Sequence, residues 1–346
     1  MRNGFTVDEL TRPARWEAYV SSTRGREVLA TRIPVLDGRI SIDGEGQVPE
    51  RADLAFTPEH KPVSPYSPLA AYGQELFLTI TVTIGGRTVD YEIGAFLIDS
   101  WEEQTDGTIK VTGVGLLQRV ADDPAALPSS PVPGSTLRVE ASRLAYPVPV
   151  MLEHDVEDVP LPRGLAWGTD RLDALADLIA SHGLRGVVRN DRQLHLMRTV
   201  TGAAAERSYT GKDLAVSLLE RGDHARANVV SVVSREKTGD EETVTVGTST
   251  AGFEPYAPET YGRVHRVEEV EAVHNTAMLN DRAARFLLEE TAATRVRTVE
   301  VVADPAIELW DTISVTANNE QITGRVRAVD MPLDGGVMRL DIEEDI

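Results

Sequence analysis

Several side-chain groupings in this sequence have residue types that could do chemistry. Asp99, Glu102 and Glu103 stand close together in IDSWEEQTDG. A carboxylate pair is what a glycosidase uses as acid and as base or nucleophile. Here the run leads into the turn pair Asp106-Gly107, so it reads as the solvated end of a hairpin. His154, Asp155, Glu157 and Asp158 form an acidic patch with the oxygen chemistry of a Ca²⁺ site. They lack the glycine-centred loop with alternating ligands that such a site uses, and read as surface. The seven histidines are scattered, with no His-Glu-x-x-His motif. His182 falls at a helix C-terminus, where it favours the dipole. Ser249 in GTSTAG lacks the Gly-x-Ser-x-Gly spacing of an activated serine. Gly113 and Gly115 run into Leu-Leu-Gln rather than a dinucleotide turn. The chain contains no cysteine, which removes disulfides and thiolate metal sites. No catalytic, cofactor-binding or metal-ligating residue is assigned. Phe77 and Trp310 read as core or rim anchors rather than ligand platforms.

Composition points the same way. The 346 residues allow two or three domains, and 41% are apolar, enough for real cores. Net charge is −20, from 35 basic and 55 acidic residues. A nucleic-acid binder needs a basic footprint, and this chain has the opposite. Its surface favours solubility, and would let a polyanion pass without sticking. Only Lys61, Lys110, Lys212 and Lys237 are lysine, a bias that reflects a GC-rich genome. No apolar stretch approaches the roughly 20 residues of a membrane helix, and the N-terminus lacks an apolar signal region.

The elements follow from periodicity. WEAYVSST and REVLATRIPVLDGRISID are strand-like. Residues 43–74, rich in Pro, Gly and charge, read as an extended arm. In ELFLTITVTIGG, Leu76, Leu78, Ile80, Val82 and Ile84 share one face, and Gly85-Gly86 permits a tight turn. RTVDYEIGAFLIDSW and TIKVTGVGLLQRV complete a meander. Residues 147–164 are Pro-punctuated and read as a linker. TDRLDALADLIASHGL spaces Leu172, Leu175, Ala176 and Ile179 on one helical face, with Thr169 to cap it and Gly183 to end it. TGKDLAVSLLERG predicts a second short helix ended by Gly222. NVVSVVSRE and ETVTVGTST predict strands, AGFEPYAPETYGRVHRVEEVEAV an irregular stretch, and residues 275–295 the longest helix. Strands fill the remainder.

The expected fold is mainly β with an α+β insert: two similar antiparallel β-barrel domains flanking smaller α/β domains. The expected boundaries are an N-terminal segment 1–24, a first β-barrel 25–146 carrying the arm 43–74, a linker 147–164, a small α/β domain 165–227, a strand–helix region 228–294, and second-barrel strands 295–346 together with part of 228–294.

One strand is written nearly twice. ELFLTITVTIGG (75–86) and ELWDTISVTANN (308–319) share six of twelve residues. Phe77 faces Trp310, Thr81 faces Ser314, and Gly85-Gly86 face Asn318-Asn319. Each copy continues with Gly (94 or 324), a strand, Asp (99 or 330), and an Asp-Gly turn (106–107 or 334–335). Half-buried strands converge on such residues. The matched turns favour duplication of a β unit.

The order barrel, α/β insert, strands plus helix, second barrel resembles the tail hub proteins of long-tailed bacteriophages. These are also called baseplate hub or minor tail proteins, and relatives occur in contractile injection systems. The run VEVVADPAIELWDTISVTANNEQITGRVRAVDM carries the resemblance most, through the turn at Asp304-Pro305, Ile307 and the strand opened by Asp311. Related hubs commonly place Gly just before that Asp; here it is Trp310. Residues 75–120 with VEASRLAYPVPV resemble the first barrel of minor tail proteins of actinobacterial phages, which points to a siphophage of such a host.

The resemblance implies a structural protein of the virion tail tip, made in the host cytoplasm, with no enzyme activity, cofactor or membrane anchor. It implies a homotrimer that adapts the six-fold tail tube to a three-fold tip, since two barrels in each of three chains imitate a ring of six. The implied partners are the distal tail protein ring, the tape-measure protein C-terminus, and tip, fibre or receptor-binding proteins. DNA would pass through during ejection without specific binding. Three chains carry 3 × (−20) = −60 formal charges. The arm and the linker are expected to lie against neighbouring subunits. The alternatives are a tail-associated or secreted cell-wall-degrading enzyme, or a carbohydrate- or receptor-binding β protein. An aromatic content of 5% speaks against the latter.

Overall fold

The computed structural model describes residues 4–345 except 163, 199–203, 211–216, 221–226, 239–240, 255, 271–275, 292–293 and 318–319. After α1 (Val7–Leu10), β1 (Arg15–Arg24), β2 (Glu27–Val35), β3 (Asp37–Asp43), β4 (Glu50–Phe56), β5 (Gln74–Ile84), β6 (Arg87–Glu103) and β7 (Ile109–Gly115) form the first β unit. In β5, Leu76, Leu78, Ile80, Val82 and Ile84 are all buried, as the alternation requires. Gly85 (φ 57°) and Gly86 (φ 86°) make the β5–β6 turn, a pair of positive φ angles that glycine adopts without strain.

Two expectations change here. The segment 1–24 is not separate, because β1 pairs with β5 along its whole length and also with β2. The arm 43–74 is in part sheet: β4 lies between β3 and β7 and buries Ala52, Leu54 and Phe56. The alternation in RADLAF outweighs the proline-rich flanks.

The insert begins earlier than the expected linker. It holds α2 (Gln118–Ala121), α3 (Leu137–Leu144), β8 (Val150–Leu152), α4 (Arg171–Ser181), β9 (Leu184–Val188) and β10 (Leu194–Arg198). Leu117, Leu137, Ala141, Leu144 and Val148 share one core with Trp167, Leu172, Leu175, Leu178 and Leu196. Residues 116–161 therefore pack with the α/β body rather than trailing from a barrel. α4 is capped by Asp170, whose side chain accepts from the Asp173 amide, not by Thr169. Gly183 (φ 63°) ends it as expected.

Beyond come β11 (Arg207–Thr210), β12 (Ser217–Glu220), β13 (Val229–Thr238), β14 (Glu241–Thr250), α5 (Pro258–Tyr261), β15 (His265–Val270) and α6 (Thr276–Thr291). The helix expected at TGKDLAVSLLERG lies mostly outside the described residues, and its described portion is strand β12, antiparallel to β16 below. The stretch expected to be irregular contains β15, paired parallel to β13. α6 covers the sheet β14-β13-β15 with Leu279, Ala283 and Leu287.

The chain ends with β16 (Thr294–Val302), β17 (Thr312–Ala317), β18 (Glu320–Pro332) and β19 (Val337–Asp345). The fold is mainly β with antiparallel sheets, as expected. The two β units are continuous: Ala328–Pro332 of β18 pair with Asp43–Arg39 of β3, so both belong to one 13-stranded sheet. They also share a core, in which Ile40, Phe56 and Ile80 cluster with Ile313, Val326 and Leu340.

The two written copies occupy matching meanders, β5-β6-β7 and β17-β18-β19. Each has an irregularity in its middle strand, at Ile98/Ser100 and at Val326/Ala328. The turn pair Asn318-Asn319 lies outside the described residues. The glycines that follow are not equivalent in packing. A Cβ on Gly324 would stand 2.3 Å from the Glu343 carbonyl oxygen, whereas one on Gly94 would meet only the Phe96 ring at 3.8 Å. Gly324→Ala is therefore expected to lower the unfolding free energy by about 2–3 kcal/mol and Gly94→Ala by less than about 0.5, in urea titrations run side by side. Equal effects would show that the β18–β19 spacing is not tight.

Candidate functional site

The groups that could have done chemistry are not assembled into a centre. Asp99 sits at the irregularity of β6 and is exposed, as are Glu102 and Glu103. Lys61 lies 2.5 Å from Glu103. His154, Asp155 and Glu157 are exposed, while Asp158 is used structurally. Its carboxylate accepts from the Arg138 amide (2.9 Å) and the Thr136 hydroxyl (3.0 Å) at the start of α3. His182 caps α4, with Nδ1 2.9 Å from the Leu178 carbonyl. Ser249 lies in β14 opposite Val230. Gly113 and Gly115 lie in β7, where Gly113 admits Phe96. No group of three metal-ligating side chains occurs among the described residues, and no helix there is long and apolar enough to cross a membrane.

What the fold does assemble is a joint between the insert and the two repeat copies. Phe77 and Trp310, equivalent in the alignment, each lie under an arginine of the insert. Arg192 stands 5.4 Å from the Phe77 centroid, and Arg185 stands 5.4 Å from that of Trp310. Both arginines belong to the β9–β10 hairpin, with Arg192 in its turn. The buried Glu75, first residue of the first copy, fixes Arg192 (2.5 Å) and Arg119 (2.9 Å). Trp310 packs with Val187 of the insert and with Leu309.

Trp310 has φ 69°, the left-handed region that favours glycine. A glycine would meet this backbone conformation without strain. Here the indole holds the joint instead. It leaves no room for a side chain at Gly44, where a Cβ would fall 2.6 Å from the ring. The next residue, Asp311, turns its carboxylate back onto the Glu308 amide (2.9 Å), and burial raises it to about 6.

A second buried polar cluster ties the N-terminus to both units. Asp304 is fully buried and accepts from the Tyr209 hydroxyl (3.1 Å) and the Ala306 amide (3.0 Å). Arg207 Nε lies 3.3 Å from it, and Arg207 Nη1 donates to the Phe5 carbonyl (2.9 Å). The Phe5 amide donates to the Tyr91 hydroxyl (2.8 Å). Burial raises the Asp304 carboxyl, against the pull of Arg207. Burial also raises both tyrosine hydroxyls, and for Tyr209 the Asp304 charge adds to it.

An apolar group of side chains is exposed on one loop. Within the loop between β4 and β5, Val63 is 88% exposed, Tyr66 69% and Tyr72 61%. The loop is pinned from below: Leu69 and Ala70 are buried, Ser22 donates to the Pro68 carbonyl, and Gln74 donates to the Pro65 and Ser67 carbonyls. Sequence reasoning marked this stretch as an arm but missed its anchors. It also missed Arg185 and Arg192, which have no local signature, and marked Glu75 only as the opening residue of the repeat.

No protein-family model matches the chain, and no curated protein matches it. Solved structures do. A tail protein from Neisseria meningitidis shares 16% identity at a TM-score of 0.61, over 95% of this chain and 97% of that one. The fold is that of phage tail proteins. A 43 kDa tail protein of a Shewanella oneidensis prophage gives 14% identity and 0.60, over 94% and 98%. A prophage tail protein from Listeria monocytogenes gives 12% and 0.52, over 93% and 94%.

Proposed function

We propose that this chain is a structural subunit of a phage-type tail. In this reading three copies form the hub at the tail tip, below the distal tail protein ring and around the tape-measure protein C-terminus. The observation that carries the reading is fold likeness to tail proteins over nearly the whole of both chains. The duplicated meander supports it, because three chains then offer six similar β units to a six-fold tube. The acidic balance suits a passage through which DNA slides, since like charges repel over about 8 Å at physiological salt. The bias to arginine fits a phage of an actinobacterial host. A role in catalysis has no comparable support.

The apolar loop serves as a contact between neighbouring subunits. Rigid, exposed tyrosines make good anchors because little entropy is lost on binding. Native mass spectrometry and negative-stain imaging, with and without the distal tail protein, should show a three-fold ring. Particles that stay monomeric with the distal tail protein present would remove the hub reading. The pair Tyr66→Asp and Tyr72→Asp should shift trimer to monomer by at least tenfold in the assembly constant, leaving the thermal midpoint within about 2 °C. An unchanged ring would assign the loop another task.

A further inference from the structure

Where the insert meets the sheet, a small cavity of about 30 Å³ is lined by a carboxylate and a guanidinium that do not meet. One is Glu50, at the start of β4. It is 8% exposed, and neither carboxylate oxygen has a side-chain partner among the described residues. The other is Arg189, just after β9, whose buried Nε also lacks a partner. Arg189 is engaged at its far end, where Nη1 lies 2.9 Å from Glu153. Glu153 also faces His195, whose Nδ1 is 2.9 Å away and whose Nε2 faces Asp191 at 2.9 Å. Losing Arg189 would leave Glu153 its contact with the His195 ring.

We propose that Arg189 is an exchangeable latch: it serves Glu153 while Glu50 is neutral and crosses to Glu50 when Glu50 ionises, re-seating the insert on the sheet. The charged groups lining the cavity are Glu50 from β4, Arg189 from the insert and Glu308 from the loop before β17. The remaining lining from β3 and β6, such as Ile42, Ile93 and Phe96, is apolar. Among the described residues that line this cavity, Arg189 is the cation that ionised Glu50 can turn to. Both groups line the same cavity, and the carboxylate lies against Gly115, where a Cβ would stand 2.1 Å from Oε2. Burial raises Glu50 from 4.5 to about 7, opposed by the amides of Glu50 itself and Val188.

The sign follows from proton linkage. Between about 4.5 and about 7 the folded chain holds a proton that the unfolded chain has released. Glu50 therefore weakens folding progressively as pH rises through that interval, by about two powers of ten in the folding equilibrium if nothing compensates. Latch exchange recovers part of this.

The test uses the full chain. Because the protein has no cysteine, spin labels can be placed at Asp155→Cys on the insert and Asp99→Cys on the sheet, both exposed. The label-to-label distance distribution should differ between pH 5.5 and pH 8.5 in the parent. It should stay at the low-pH distribution in Glu50→Gln and lose its pH response in Arg189→Met. Identical distributions at the two pH values in the parent, or a shift that survives in either variant, overturn the latch. Should Glu50→Gln fold poorly, Arg189→Met alone decides, since that side chain is partly solvent-facing. Urea titrations should agree: the parent loses more stability from pH 5.5 to 8.5 than Glu50→Gln does.

Discussion

Arg207→Ala is expected to lower the unfolding free energy by about 3–5 kcal/mol at pH 8, the usual range when one member of a buried ion pair is removed. Asp304, at 0% exposure, has Arg207 as its cation, and Arg207 is itself mostly buried. Truncation leaves the carboxylate with the Tyr209 hydroxyl and the Ala306 amide, which stabilise its charge less. It also frees the Phe5 carbonyl, so the N-terminal segment loses a tie to β11. The chain has an escape: Asp304 can take up a proton. Burial already raises its pKa in the parent, and loss of Arg207 raises it further. The folded variant then holds a proton that the unfolded chain releases above about pH 4. The penalty is accordingly smallest in acid and grows as pH rises. Urea titrations at pH 5 and pH 8 check this, and a penalty independent of pH would mean that Asp304 stays charged without its partner. Tyr209→Phe removes one hydrogen bond to the same carboxylate and should be milder, about 1–2 kcal/mol.

Trp310 is the second position where a large effect is expected, and three substitutions separate its terms. Trp310→Ala should reduce stability by about 3–5 kcal/mol, because a buried ring is lost where the insert meets the sheet. Trp310→Gly loses the same ring but relieves the left-handed backbone at φ 69°, so it should be about 1 kcal/mol less harmful than alanine. Trp310→Phe keeps most of the packing and removes an indole N–H that is buried without a partner, so it should lie within about 1 kcal/mol of the parent. Denaturant unfolding gives the order Phe, Gly, Ala from least to most damaging. An alanine variant more stable than the glycine variant would mean that this turn stores no strain. Protease cutting in the insert should accelerate in the alanine and glycine variants, since Val187 and Arg185 both lose the ring.

These positions differ in how visible they were before the fold was known. Trp310 stood out, because it occupies a place where glycine was expected and because it aligns with Phe77. Asp304 was visible only as a turn residue, and neither Arg207 nor Tyr209 was visible at all. Glu50 sat inside a stretch whose prolines and charges hid the alternation of RADLAF. Its burial depends on Gly115 and Val188, which are distant in the chain. α3 escaped notice because its stripe of Leu137, Ala141 and Leu144 is short and follows a loop rich in proline.

By itself the sequence determined the local periods: the two-residue alternation of β5, the paired glycines of its turn, the helical stripe of α4 and its glycine stop. It determined the writing of one strand twice, and an acidic, cysteine-free surface. These depend on neighbours within a few residues, which is the range over which side-chain direction and turn chemistry act. Only the tertiary structure decided that β18 and β3 join the two units into one sheet, and that a single hairpin reaches both repeat copies through Arg185 and Arg192. It alone decided which carboxylates are buried. Strand pairing and burial are set by residues hundreds of positions apart, and their free energy comes from water excluded by the assembled whole.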